Sequence, residues 1–152
     1  MKIAVNVKQR FRVPATPEQS FALLADVPRS ISHFPNLQRL VPQGEGVYRW
    51  EMEPVAAVGV SHQLVYACRY ASDAGAARVT WTPVANVGNG QIEGAWELLA
   101  EGGGTLIRFY TSGALEVPVP ALFRPMAAPF VQGLFRNEVS RYLDNIRRAL
   151  SA

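Results

Sequence analysis

The chain has 152 residues, 49% of them hydrophobic, with fifteen basic and twelve acidic side chains and a net charge of +3. That length buries roughly 70% of the unfolded chain's surface, so one domain over residues 1–152 is expected and a disordered chain is excluded. The single cysteine, Cys68, excludes an intrachain disulfide framework, and the scattered charge, thirteen Arg and two Lys with no basic block interleaved with aromatics, argues against nucleic-acid binding.

The opening Met1-Lys2-Ile3-Ala4-Val5-Asn6-Val7-Lys8 alternates, which predicts a strand over 3–13 closed by Pro14. It contains no apolar block of signal-peptide length, and with the lone thiol this makes a reducing cytoplasm the expected location. Thr16-Pro17-Glu18-Gln19 joins an N-cap Thr, Pro at the first helical position and Gln three residues after the cap. A helix therefore starts at 17 and buries Phe21, Leu24 and Ala25. Asp26 caps a second short helix over 27–33, with Pro28 in its first turn and Pro35 past its end.

Strands are expected at 37–42, 46–53, 61–71, 76–82, 90–100 and 105–116, where the apolar period falls to two. Gly44-Glu45-Gly46, Asp73-Ala74-Gly75, Gly88-Asn89-Gly90 and Gly102-Gly103-Gly104 supply the turns between them. Residues 117–135 are apolar around Arg124, but Pro118, Pro120, Pro125 and Pro129 argue against a continuous spanning helix. A final amphipathic helix over 129–150 puts Phe135, Val139, Tyr142, Leu143, Ile146 and Leu150 on one face, with Glu138–Arg141 and Asp144–Arg148 pairs on the exposed side. Strands enclosed between helical segments read as α+β, a curved antiparallel sheet packed on the terminal helix with an apolar hollow between them.

Alternation assigns the walls of that hollow. Tyr48, Trp50 and Met52 share one face of their strand, against Arg49, Glu51 and Glu53 on the other. Ile92, Gly94, Trp96 and Leu98 likewise oppose Gln91, Glu93, Ala95 and Glu97. Val79 and Trp81 point inward, as do His62, Leu64, Tyr66 and Cys68 in the preferred phase of 61–71. Over 105–116, Ile107, Phe109 and Thr111 inward leaves Arg108 in water. Val119, Leu122, Phe123, Met126, Phe130 and Leu134 cover the hollow or face outward as an apolar flap. The expected ligand-binding set is thus Tyr48, Trp50, Met52, His62, Leu64, Tyr66, Trp81, Trp96, Leu98, Phe109, Phe130 and Leu134. Such a wall suits a flat apolar molecule with a polar end, while rings that merely fill a core are the other reading.

Reactive motifs are sparse. His62 either hydrogen-bonds a ligand and moves a proton or is a strand-start residue bonded to backbone, and His33 is an exposed or capping residue. Gly59-Val60-Ser61-His62 lacks the second glycine of a nucleophile elbow, and Gly88, Gly90 and Gly94 miss dinucleotide spacing. The paired carboxylates Glu51/Glu53 and Glu93/Glu97 fall on the solvated face. Cys68 reads as a small buried apolar residue. Two histidines and one cysteine far apart predict no metal site, and no cofactor motif is present.

The segment Phe11-Arg12-Val13-Pro14-Ala15-Thr16-Pro17-Glu18-Gln19-Ser20-Phe21, with Leu24, Asp26 and Phe34-Pro35, resembles the opening of the START-related (SRPBCC) superfamily. Gly94-Ala95-Trp96-Glu97-Leu98 followed by Gly103-Gly104-Thr105-Leu106-Ile107 is similar to its penultimate hairpin, and the resemblance covers nearly the whole chain in element order. Within the group the chain looks most like the branch of the carbon monoxide dehydrogenase accessory proteins and coenzyme-Q-binding-type proteins. The resemblance implies a helix-grip fold: a seven-stranded antiparallel sheet, two short helices after its first strand, and a hydrophobic tunnel against the last helix. It also implies binding or carriage of a hydrophobic small molecule, such as a lipid, an isoprenoid quinone or a polyketide.

The alternative is a polyketide cyclase/dehydrase-type enzyme using the same cavity, with His62, Tyr66 and Arg108 as its candidate catalytic residues. A third expectation, compatible with the first, is transient contact of residues 117–135 with a membrane surface or a protein, Arg124 and Arg136 lying near headgroups. The sequence sets no oligomeric state.

Overall fold

A computed structural model describes residues 1–57 and 60–152, so Gly59 of the Gly59-Val60-Ser61-His62 segment lies outside the described residues. The chain opens with strand β1 (Lys2–Val13), then helices α1 (Pro17–Ala25) and α2 (Val27–Ile31). Strands β2 (Leu37–Gly44), β3 (Val47–Met52), β4 (Val55–Ala57), β5 (Val60–His62), β6 (Val65–Asp73), β7 (Arg78–Pro83), β8 (Gly90–Glu101) and β9 (Gly104–Glu116) follow. A 3-10 turn at Ala121–Phe123 leads into helix α3 (Arg124–Ala149). Seven strands form one antiparallel sheet in the order β1-β9-β8-β7-β6-β3-β2, and β4 and β5 make a separate hairpin. This is the expected α+β helix-grip architecture.

Local chemistry explains the entry into the helices. The Thr16 hydroxyl accepts from Gln19 N–H at 3.1 Å, and the Gln19 side chain accepts from Thr16 N–H at 2.9 Å. This reciprocal pair satisfies two of the donors that a helix start leaves without partners. Asp26 ends α1 and caps α2 by accepting from Arg29 N–H at 3.3 Å. The second helix is shorter than its expected 27–33.

The inner face of the sheet follows the alternation. Trp50, Met52, Val79, Trp81, Ile92, Trp96, Leu98, Ile107 and Phe109 are buried, together with Val139, Tyr142, Leu143 and Ile146 of α3. Rings join the layers: Trp96 meets Phe109 at 4.6 Å and Tyr142 at 5.8 Å, and Phe34 meets Trp50 at 5.0 Å. The Tyr142 hydroxyl bonds the hydroxyl of Ser30 on α2, and Asn145 Nδ2 donates to the His33 carbonyl at 2.9 Å. His33 thus contributes its backbone to anchoring α3.

Three expectations are corrected. The strand expected over 61–71 is two strands, β5 and β6, parted at Gln63 and Leu64. Asn89, from the turn before β8, holds the break. Its Oδ1 accepts from Val65 N–H and its Nδ2 donates to the Gln63 carbonyl, both at 2.9 Å, while its own N–H donates to Val65 O at 2.8 Å. Gly88 makes this approach feasible: its φ is +63°, and an added Cβ would lie 2.0 Å from the Val65 carbonyl oxygen.

The last helix begins at Arg124, five residues before the expected start at 129. Pro125 sits in its first turn, where no N–H is required, and Pro129 removes only the bond to the carbonyl four residues back. Most of the expected proline-broken flap is therefore the first part of a regular helix. Finally, Asp144 pairs with Arg147 at 3.2 Å rather than with Arg148.

Candidate functional site

The helix and sheet separate at one end of the molecule and leave a cavity of about 290 Å³. Its walls are Met52 and Glu53 at the end of β3, Val55 and His62 of the β4–β5 hairpin, and Leu64 in the break before β6. Leu115, Val117, Pro118 and Val119 close it from the end of β9. The first half of α3 completes it with Met126, Ala127, Phe130, Val131, Leu134, Phe135 and Glu138, preceded by Phe123. The position of Asn89 explains why this space exists. By pinning the chain at Gln63–Val65, it carries β5 out of the main sheet and over the end of the hollow.

The expected ligand set divides here. Met52, His62, Leu64, Phe130 and Leu134 line this cavity. Trp50, Tyr66, Trp81, Trp96 and Phe109 surround a second space of only about 40 Å³, deeper between sheet and helix. Rings fill that region. Trp50 stacks on Tyr66 at 5.3 Å, and its indole N–H donates to the Tyr70 hydroxyl at 3.1 Å. Phe135 lines both spaces and stands between them. Tyr48 flanks a surface recess with Asp26 and Tyr70, and Leu98 is buried in the core away from these spaces.

The three catalytic candidates also separate. Arg108 is exposed on the outer face beside Glu97 and lines none of these spaces, so it drops out of chemistry in the cavity. Burial, with Cys68, Glu138 and Tyr142 nearby, drives the Tyr66 phenol well above its ordinary value and keeps it protonated. Cys68 is buried and pushed up to about 12, its thiol donating to the Ile92 carbonyl at 3.3 Å, which suits a packed residue and not a nucleophile. His62 alone reaches the large cavity. Its Nε2 is buried with no hydrogen-bond partner among the described residues, and burial lowers its pKa, favouring the neutral ring.

Glu138 was missed. Pairing with Arg141 at helical spacing places it on the exposed side, whereas it is half-buried on the cavity wall. The available signal was its place on the same helical stripe as Val131, Leu134 and Phe135. Burial raises its carboxyl above the ordinary 4.5, while a hydrogen bond from Asn36 and the charge of Arg141 pull it down.

With its pKa raised on folding, the folded state holds the proton more tightly. Stability therefore falls as pH rises from the unfolded value through the folded one, and above that window the ionised group costs stability. Glu138→Gln is expected to raise Tm at pH 7.5 and to lose that advantage near pH 4. Thermal melts across that range check it.

Glu51, by contrast, is a clamp on the outer face. Two hydrogen bonds from Arg39, at 3.0 and 3.2 Å, and the charges of Arg39 and Arg49 hold its carboxyl below the ordinary range. No three His, Cys, Asp or Glu side chains converge as a metal site among the described residues.

Residues 4–151 match the family model described as "Polyketide cyclase / dehydrase and lipid transport". The chain belongs to this family. No curated protein matches it individually. Among solved structures, TTHA0849 from Thermus thermophilus is similar at 21% identity and a TM-score of 0.67, covering 97% of this chain and 96% of that one. The Zhui aromatase/cyclase from Streptomyces sp. R1128 shares 13% identity at a TM-score of 0.69, over 97% and 93% of the two chains. A START superfamily protein from Mycobacterium smegmatis shares 14% at 0.66, over 95% and 96%. At these identities the likeness establishes the shared helix-grip fold. Membership of the polyketide cyclase/dehydrase and lipid transport family implies either hydrophobic ligand binding or cyclase-type chemistry.

Proposed function

We propose that the protein binds and carries a hydrophobic small molecule in the cavity between the β4–β5 hairpin, the end of β9 and the first half of α3. The observation that supports this is the cavity itself: about 290 Å³, walled mainly by aliphatic side chains and phenylalanines, with few polar groups. Apolar walls with a few convergent polar groups are the usual makeup of a small-molecule site. A lipid, an isoprenoid quinone or a polyketide would each bring a matching apolar body. The quinone is the choice that the resemblance to coenzyme-Q-binding-type proteins favours.

Organic extraction of freshly purified protein, followed by mass spectrometry, is expected to release an apolar compound from the wild type and much less from Ala127→Phe. Ala127 is buried on the cavity wall, so the added ring occupies the space. Equal recovery from both would place the ligand elsewhere. An empty wild type that also takes up no added apolar compound would refute carriage.

A cyclase/dehydrase-type reaction is the second reading, favoured by one observation: His62 presents a buried, unpartnered Nε2 to the cavity, with Glu138 on the wall. A neutral imidazole in such a place accepts or relays a proton. The two readings part on the bound molecule, which leaves a carrier unchanged and leaves an enzyme converted, except in His62→Ala.

Loading from a membrane surface is part of the carrier reading. Leu122, Met126, Phe130 and Leu134 are 81%, 56%, 51% and 36% exposed at four-residue spacing, and Arg124 and Arg136 are exposed beside them. Within 117–137 these two arginines are the only charges. No helix among the described residues is long and apolar enough to cross a membrane. Flotation with vesicles containing anionic lipid is expected, and its loss in the double variant Leu122→Asp/Phe130→Asp; wild-type protein remaining at the bottom of the gradient would remove this element.

A further inference from the structure

The ionisable groups on the cavity wall are Glu53, His62 and Glu138, and no Lys or Arg is among the lining residues. Val58 and Gly59, outside the described residues, carry no charge either. The site is therefore apolar, holds two carboxyl groups and one imidazole, and offers no permanent positive charge to an anion. We propose that the cavity selects an uncharged apolar molecule ending in a hydroxyl group and rejects the carboxylate of the same skeleton. This rests on the reading of the cavity as a ligand site.

The physical grounds are desolvation and pairing. A carboxylate entering this space loses its water and finds no cation to replace it. It meets Glu138 instead, half-buried on the wall, where low polarity strengthens the repulsion of like charges. Arg141, the cation that acts on Glu138, is exposed and does not line the cavity, so it offers the ligand no direct partner.

A hydroxyl brings one donor and two acceptor positions without charge. It can accept from or donate to the unpartnered Nε2 of His62, according to the imidazole tautomer, and donate to the Glu138 carboxylate. Leaving Nε2 without a partner carries a cost that such a ligand removes on binding. An ammonium would find Glu138 but would give up far more hydration on entry than a hydroxyl does.

The test uses the full chain and four small probes at pH 7.5: 2-naphthol, naphthalene, 2-naphthoate and 2-naphthylmethylammonium, followed by equilibrium dialysis. The cavity volume lies at the lower edge of small-molecule sites, which suits a two-ring body. Naphthol is expected to bind at least tenfold more tightly than naphthoate and severalfold more tightly than naphthalene and the ammonium. His62→Phe is expected to erase the advantage of naphthol over naphthalene. Glu138→Gln is expected to raise affinity for naphthoate severalfold.

Naphthoate or the ammonium binding as tightly as naphthol would overturn the selectivity while leaving a ligand site in place. So would naphthol no better than naphthalene. Binding of none of the four, naphthalene included, would instead overturn the cavity as a ligand site and this inference with it.

Discussion

Replacing Trp96 by alanine is expected to destabilise the protein by about 3–5 kcal/mol, the range for removing a large buried aromatic. Trp96 is 2% exposed on the inner face of β8 and touches Phe109 of β9 and Tyr142 of α3, so its ring joins neighbouring strands to the helix. Its neighbours have little room to close over the gap. Gly94, on the same face, already gives its space to the Trp81 indole, which lies 2.4 Å from where a Cβ would stand. The loss is a large share of the roughly 5–15 kcal/mol that holds a typical domain together. A fall in Tm of about 6–20 °C follows for a chain of this size. Urea unfolding measures it directly, and a change below about 1 kcal/mol would mean that the ring does not bind the layers together.

Phe135→Ala is expected to change what the protein can hold. The ring borders both the cavity of about 290 Å³ and the inner space of about 40 Å³, so its removal joins them into one longer channel. The new volume is lined by Trp50, Tyr66, Trp96 and Tyr142, and an apolar void of this kind stays dry and accepts apolar guests. Affinity should shift toward longer ligands: alcohols of ten to twelve carbons should gain about tenfold over two-ring compounds relative to wild type, by the scale of several newly buried methylene groups. Stability falls at the same time by a few kcal/mol, since the packing of a large side chain is lost. Competition binding with an alcohol series separates the effects, because a merely loosened fold would weaken all ligands alike.

These two predictions show why the tunnel expected from alternation is divided. The period of two correctly turns Trp50, Trp81, Trp96 and Phe109 inward, since a strand's geometry fixes the side to which each residue points. It cannot give the distance to the opposing helix. Where Tyr142 and Val139 approach, the rings interlock and almost no space remains. Toward the start of α3 the wall opposite is Met126, Ala127 and Val131, and space is left. Met52, Leu64, Phe130 and Leu134 belong to that second region.

The amino-acid order by itself determined the helix-grip element order, the Thr16 capping box, the inward faces of β7, β8 and β9, and the outward Arg108. All of these rest on interactions within a few residues, or on the fixed periods of helix and strand. Tertiary structure alone decided the rest. Asn89 breaks the strand at Gln63–Leu64 from more than twenty residues away, which carries His62 over the hollow. The sheet and α3 together enclose Glu138, whose helical neighbours suggest a solvated ion pair. Packing keeps Pro129 inside α3 although proline is a local breaker, because one lost hydrogen bond in the second turn is outweighed by the apolar contacts of that segment. Pockets arise where surfaces distant in sequence fail to meet, and no local period encodes that distance.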